Sequence, residues 1–433
     1  MPGEKRVAIT GFGAVSSVGL TAEETYYSML NGGRGITEQR DWMLSTIPEP
    51  YRHKFRSHLF GRVQDFDLLD DPGFAASEEF NARYLERYAS RTALLVLKAS
   101  AEALRHAGVA TQMLEITEVE PERFAFVIGS GAGGAVEMAN FHALMQEGKA
   151  VPATAMSKSQ PENAAILASM FYKAKGPNAA PPAACASSNV AFADAVRKIK
   201  LGEADVIVAG GTEAYSHMTV GMFERTNAAN TEDNPDVASR PFHKEPGKAV
   251  LSEGAGLMIL EAEEHARNRG AKIYGYLDGY AVTGDAADPT LLDGIGTANA
   301  MGLSLRMAEV TQAEKIHLGV HATATPQGDN AEAGSVRSVF GDKGKYRTEQ
   351  IENRVVAHKR FTGHPVGGAN AIAGVIAVMS AIEGKIPRSD WGDETREDMQ
   401  GLLANGQPEE FDVIQINGMG FGGQNGSIII RKN

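Results

Sequence analysis

Pro181-Pro182-Ala183-Ala184-Cys185-Ala186-Ser187-Ser188-Asn189 holds the only cysteine among 433 residues. Beyond it, Val190, Ala193, Val196 and Ile199 recur at three-residue spacing, with Phe192 beside them. That wide apolar face predicts a buried helix over Asn189–Lys200. The cysteine therefore stands just before a helix. A thiol there meets the positive end of the helix dipole and unpaired backbone N–H groups, which favour the thiolate. Its small neighbours leave a substrate room to reach the sulfur. A lone cysteine forms no intrachain disulfide, so it is either a small buried hydrophobe or a chemical tool. Its position favours the tool.

Working outward, strand-like and helical runs alternate. Val7–Thr10, Phe124–Ile128, Val206–Ala209, Lys272–Leu277, Val413–Ile416 and Ser427–Ile430 read as strands. Arg91–His106 and Asn370–Glu383 read as helices. The alternation predicts an α/β protein. Two acidic stretches without periodicity, Asp67–Asn81 and Arg388–Glu410, read as solvated loops. The halves echo each other. EKRVAITGFGAV at 4–15 resembles AKIYGYLDGYAV at 271–282, and both the Cys185 segment and Thr362–Asn370 lead into alanine-rich helices. Such self-similarity suggests a duplicated α/β unit, as the chain length also does.

Composition narrows the function. The net charge of −12 argues against nucleic acid as a partner. One cysteine fits a reducing cytosol. The N-terminal apolar stretch is short and broken by Gly11 and Gly13, so it reads as a strand rather than a signal peptide. No run is read as a membrane span of about 18 apolar residues.

Several motifs compete. Gly129–Gly134 fits G-x-G-x-x-G between a strand and a helix, but no acidic residue ends a second strand downstream, so a dinucleotide loop is disfavoured. Gly418–Gly423 fits the same pattern but runs into a strand. There the glycines let the Phe421 N–H approach a ligand. His317 and His321 are four apart, yet Gly319 lies between them and no third ligand follows, so zinc is a weak reading. His321 and His364 each lie beside small residues. Either alone is an ordinary histidine. With Cys185 they supply a nucleophile and two donors for a developing oxyanion.

The segments in order are RVAITGFGAVSSVG, VIGSGAGG, AACASS, GEADVIVAGGTEA, SRPF, SEGAGLMILE, HATATPQGD, KRFTGHPVGGANA and NGMGFGGQNGS. Together they resemble the β-ketoacyl-acyl-carrier-protein synthases of the type I/II class, within the thiolase superfamily. The resemblance covers most of the chain. It implies a five-layer αβαβα thiolase-type fold of two similar halves, residues 1–265 carrying the cysteine and 266–433 carrying the two histidines. It implies Cys185 as acyl acceptor, His321 and His364 as catalytic histidines, and Lys359 with Glu332 as a supporting ion pair. Thr323 and Thr325 resemble the threonines that bind the phosphopantetheine arm. Phe421 resembles the gating phenylalanine whose N–H joins that of Cys185 in an oxyanion hole. Ala132 takes a position that often holds a larger aliphatic residue in the acyl tunnel. Phe223 and Arg225 fall in a segment resembling the carrier-docking region.

The implied activity is decarboxylative condensation of an acyl-cysteine with malonyl-acyl carrier protein, in fatty-acid or polyketide and polyene elongation. It needs neither metal nor redox cofactor. Acyl carrier protein is the implied partner, with a homodimer or a heterodimer with a ketosynthase-like subunit, in the cytoplasm. The alternative is a non-elongating chain-length partner, a class that lacks the cysteine. Departures from the family pattern include Ala322 and Ala324 where glycine and serine are common, Met419, Gln424, His243–Lys248, and Arg388–Glu410.

Overall fold

The computed structural model describes residues 6–288 and 292–433. Nine strands form one sheet: β1 (Val7–Val15), β2 (Phe124–Gly129), β3 (Val206–Glu213), β4 (Gly254–Ala262), β5 (Gly275–Gly284), β6 (Ile316–Gly319), β7 (Val355–Val356), β8 (Val413–Gly420) and β9 (Gln424–Lys432). The strands read from the sequence are present, most running further than their apolar cores, except that the one read over Lys272–Leu277 begins only at Gly275 and runs to Gly284. β1, β3, β4 and β8 are buried along their whole length, so glycine, threonine and glutamate join the strand beside the aliphatic residues.

The spatial order is β2-β3-β4-β1-β5-β9-β8-β6-β7. In the first half β2 runs parallel to β3, β3 antiparallel to β4, and β4 antiparallel to β1. In the second half β6 runs parallel to β8, β8 antiparallel to β9, and β9 antiparallel to β5. The halves thus repeat one topology. They join edge to edge where Ala8 faces Tyr276 and Ile9 faces Gly275. The joined strands β1 and β5 are the two that echo each other in sequence.

Eight helices matter for the site: α1 (Arg91–His106), α2 (Ala135–Gln146), α3 (Asn163–Phe171), α4 (Ser187–Lys200), α5 (His217–Arg225), α6 (Ile295–Met307), α7 (Pro326–Phe340) and α8 (Ala369–Glu383). α4 and α8 pack on each other and on strands of both half-sheets, forming the middle layer. α1 and α3 cover the first half-sheet outside, and α6 with α7 packed on it covers the second. The result is the five-layer arrangement of two similar halves. Val366–Glu383 is long and apolar enough to cross a membrane by composition, contrary to the sequence reading, yet 83% of that window is buried within the protein. It is apolar on all sides because both half-sheets enclose it.

Neither acidic stretch is simply a solvated loop. In Asp67–Asn81, Leu68, Phe74 and Phe80 are buried, and Asp71 accepts two 2.6 Å hydrogen bonds from Arg105. In Arg388–Glu410, Met399, Leu402, Leu403 and Ala404 are buried, and the Val355 N–H donates to the Leu402 carbonyl. Arginines pair with their acids, among them Arg354 with Glu409 and Arg396 with Asp398. A few anchoring side chains suffice to dock an acid-rich segment, and periodicity does not register them.

His317, on β6, is fully buried beside Phe411 and His358, and neither of its ring nitrogens has a hydrogen-bond partner. It faces His358 rather than joining His321 around a metal. Burial pushes its pKa down to about 3. A lowered histidine pKa favours the unfolded state once pH falls below the unfolded value of about 6.5. His317 should therefore cost about 1.4 kcal/mol per pH unit below that point, or about 2 kcal/mol at pH 5. Denaturant titrations at pH 7.5 and pH 5 should show His317→Leu losing that much less stability on acidification than the parent. Equal losses would refute the assignment.

Candidate active site

Cys185 lies on a single helical turn, Ala184–Ala186, that runs directly into α4. Ala184 adopts a left-handed φ of +47°, a conformation that costs a residue with a Cβ about 1–2 kcal/mol. The turn is held from behind. Asn370 donates its side-chain N–H to the Cys185 carbonyl at 2.8 Å, and Ser187 Oγ accepts from the Ala183 N–H at 2.9 Å. The second-half helix α8, which begins five residues after His364, thus pins the first-half cysteine.

His364 follows the short helix Lys359–Thr362 and Gly363, whose φ is +74°. Its Nε2 lies 3.2 Å from Cys185 Sγ. His321 lies just beyond the end of β6, its ring perpendicular to that of His364 with centroids 5.4 Å apart. The sulfur and one ring nitrogen from each histidine lie within 4.8 Å of one another, and all three residues are buried. Residues 136 and 179 positions from the cysteine in sequence are brought to one point.

Electrostatics correct one expectation. Burial pushes the Cys185 thiol up to about 12, against the opposing pull of Lys359. A helix end contributes only about 0.3–1 kcal/mol in ordinary settings, so desolvation outweighs it. On that balance the thiol is the favoured form of Cys185, and a thiolate would form only as its proton leaves. Burial, reinforced by the Lys359 charge, holds both imidazoles well below their usual range. Neutral His364 is therefore the available acceptor for that proton.

Lys359 and Glu332 are both fully buried, but they do not meet as an ion pair. Lys359 Nζ donates to the His321 carbonyl. The Glu332 carboxylate accepts the N–H groups of His321 and Ala322 at 2.5 and 2.6 Å. The two side chains hold the His321 backbone from its two ends. Burial pushes the Lys359 pKa down and the Glu332 pKa up, because each charge sits in low dielectric. Ala322 and Ala324 have φ of +45° and +64°, a backbone conformation that glycine adopts without the strain a Cβ brings. Glu332 and Asp329 hold this strained turn through the Ala322 and Ala324 N–H groups.

Removing either side chain leaves the backbone groups that it holds at His321 and Ala322 buried without a partner, at about 1–3 kcal/mol each. Lys359→Ala and Glu332→Ala should each lose stability on that scale together with activity, measured by urea unfolding. A variant that is inactive yet as stable as the parent would assign the side chain a direct chemical step instead.

A cleft of 440 Å³ opens above the cluster, with Cys185, His321 and His364 among its lining residues. Thr323, Thr325, Phe223, Met419 and Phe421 line it too. Thr323 and Thr325 are 3.1 Å apart through their hydroxyls. Phe223 stands between the His364 and Phe421 rings, at 6.4 and 5.4 Å. Phe421 precedes Gly422 and Gly423, whose φ values of +84° and +72° make the tight turn between β8 and β9. Ala132 is half-buried, lies outside the cleft lining, and gives its N–H to Glu213. Arg225 is exposed at the end of α5, just before Thr226 and Asn227, which line the cleft. Glu213 and Asn370 carry no role in the sequence reading. Glu213 had a signal, a charged residue ending a strand that opens with an aliphatic run. The role of Asn370 depends on contact between the halves.

Residues 4–266 match the N-terminal domain of the β-ketoacyl synthases and residues 274–390 match their C-terminal domain. The chain belongs to the β-ketoacyl synthase family. The 3-oxoacyl-[acyl-carrier-protein] synthase 2 of Staphylococcus aureus (strain COL) is 30% identical, over 100% of this chain and 99% of that protein. Among solved structures, a β-ketoacyl synthase from Burkholderia phymatum superposes with a TM-score of 0.85 at 24% identity, covering 99% of this chain and 100% of the other. The ishigamide ketosynthase/chain length factor gives a TM-score of 0.83, also at 24% identity, covering 99% and 100%. At that identity the superpositions establish the fold.

Proposed function

We propose that this β-ketoacyl synthase moves an acyl group from the phosphopantetheine arm of a carrier protein onto Cys185 and extends it with malonyl-carrier protein. The observation that carries the reading is the convergence of Cys185, His321 and His364 on the cleft. The Cys185 S–H proton passes to His364 Nε2 as sulfur attacks the thioester carbonyl. The oxyanion rests on the N–H groups of Cys185 and Phe421. The C–S bond to pantetheine breaks, and the departing sulfur takes the proton back from His364. Malonyl thioester then enters along Thr323 and Thr325. Its C–C bond breaks to release CO2, and the electron pair becomes an enolate that accepts N–H donation from His321 and from His364, whose single ring proton must first move from Nδ1 to Nε2. The enolate carbon attacks the acyl carbonyl, and Cys185 leaves as thiolate and is reprotonated from water. No metal or redox cofactor enters these steps.

The retained Cys185 opposes the non-elongating reading, since that role needs no acyl acceptor. The division between halves is placed at 265/266, where the helix Glu263–Asn268 connects β4 to β5. Ala132 is proposed to influence the acyl tunnel from the loop after β2. A free, buried single cysteine fits a cytoplasmic protein working as a homodimer or beside a ketosynthase-like subunit. The test is intact-protein mass spectrometry after incubation with a panel of acyl-carrier proteins. An acyl adduct should appear at one site and lead to chain extension when malonyl-carrier protein is added. No adduct with any chain length would refute the reading.

Docking of an acidic carrier by a protein of charge −12 requires a local basic surface. Arg225 has company. Arg52, His53, Lys54 and Arg56 are exposed on the preceding segment, and Phe55 between them joins the Phe223 cluster. Buried Glu224 ties that segment to α5 by accepting the Arg56 and Ser57 N–H groups at 3.0 and 2.7 Å. Arg225→Glu combined with Arg56→Glu should raise the carrier-protein KM about tenfold, with kcat nearly unchanged and the effect fading at high salt. A KM equal to the parent's at low salt would place docking elsewhere.

A further inference from the structure

Glu213 ends β3 and is only 2% exposed, yet among the described residues no basic side chain pairs with it within 4 Å. Its partners are donors from two loops. Oε2 accepts the Gly131 N–H at 2.8 Å and the Gly367 N–H at 3.0 Å. Oε1 accepts Ser130 Oγ and the Ala132 N–H, each at 3.2 Å. Ser130 to Ala132 follow β2 in the first half. Gly367 stands three residues after His364 in the second. Its carbonyl in turn accepts Ser188 Oγ, from the first turn of the helix that begins beside Cys185. One carboxylate therefore joins the loop after β2, the turn after His364 and, through Gly367, the start of α4.

The contacts are close. A Cβ on Gly131 would come within 2.6 Å of Val366 Cγ1 and 3.0 Å of Glu213 Oε2, and a Cβ on Gly367 within 2.5 Å of the Gly131 nitrogen. All four groups facing Glu213 are donors, so only an acceptor-only side chain satisfies them. A glutamine would turn its NH2 against N–H groups at one end. Burial pushes the Glu213 pKa up to about 7, against the opposing pull of these four hydrogen bonds, which favour the carboxylate.

We propose that Glu213 is a positioning residue for the condensation: it locks the Ser130–Ala132 loop to the Val366–Gly368 turn and so fixes the approach of His364 to Cys185 across the two halves. This rests on the condensing role proposed above. It has a second consequence. Gly131 and Gly367 tie its carboxylate to the loop after β2 and to the turn that follows His364, and above its raised pKa its charge adds to the burial that opposes ionisation of Cys185.

Because Cys185 is the only cysteine, alkylation by iodoacetamide reports on that sulfur alone, without any carrier substrate. Glu213→Gln and Glu213→Asp are compared with the parent in full-length protein. For Glu213→Gln, kcat of condensation should fall at least tenfold with the carrier KM within twofold. Its alkylation profile should also move to lower pH. Glu213→Asp keeps the charge but withdraws it from the donors. It should lose kcat while keeping the parent's alkylation profile. A merely structural role would not separate the two readouts. Parent-like kcat and profile in a folded Glu213→Gln variant would overturn the proposal. If that variant does not fold, Ser130→Ala removes one donor and leaves the carboxylate. Its kcat should fall with KM unchanged, and a parent-like kcat would overturn the proposal equally. If the parent forms no acyl adduct, the condensing role fails. The alkylation profiles then decide the Glu213 claim by themselves, with an unshifted Glu213→Gln profile refuting it.

Discussion

Cys185→Ala should form no acyl adduct with any carrier substrate, and condensation should fall by at least about 10⁴-fold, the scale seen when an acyl-transfer nucleophile is removed. No other thiol can substitute, because the chain has none. The fold should persist. The turn is held by the Asn370 bond to the Cys185 carbonyl and by Ser187, neither of which uses the sulfur. The buried alanine also loses the need to keep a thiol beside a lysine charge. Intact mass and thermal unfolding measure the two halves of this claim. An acyl-mass adduct on the folded variant would move the nucleophile elsewhere.

The second large effect separates the two histidines. Sequence reasoning treated them alike, as donors to the enolate. The structure makes them unequal, since His364 Nε2 touches Sγ at 3.2 Å while His321 meets the pair through the His364 ring. His364→Ala should slow acylation of Cys185 about 10²–10⁴-fold, the range for a positioned proton acceptor. It should also cripple malonyl decarboxylation. His321→Ala should leave acylation within about tenfold of the parent while decarboxylation falls about 10²–10³-fold, as for loss of one oxyanion donor. Single-turnover acylation and CO2 release from malonyl-carrier protein resolve the steps. Equal acylation rates in the two variants would end the division of labour. Because both imidazoles are held well below their ordinary range, neither rate should show an acid limb near pH 6.5.

Docking of the acidic segments illustrates how local signals mislead. Asp67–Asn81 and Arg388–Glu410 carry many acids, and charge without periodicity reads as solvent exposure. Some of their arginine partners come from elsewhere, Arg105 for Asp71 and Arg354 for Glu409. A partner 34 or 55 residues away leaves no mark within either segment. The thiol misled for a related reason. Helix position is visible in sequence and favours the thiolate, whereas the burial that outweighs it is a property of the packed molecule.

The sequence alone determined the strands and helices whose apolar residues keep a period, α1 over Arg91–His106 to the residue. It also singled out Cys185, His321 and His364 as candidates, although residue type left each open to an ordinary packing role and only the ordered series of motifs, through its family resemblance, implied their roles. The echo between β1 and β5 carried the duplication. What only tertiary structure decided is everything that depends on joining the halves. That includes the 3.2 Å approach of His364 to Cys185 and the grip of Asn370 on the Cys185 carbonyl. It also includes the placing of Lys359 and Glu332 on the His321 backbone instead of on each other, and the four donors converging on Glu213. Periodicity and residue chemistry are local and survive in a linear string. Distances across a pseudo-twofold interface, and the desolvation that sets each charge, come into being only when the middle helices bring the two half-sheets together.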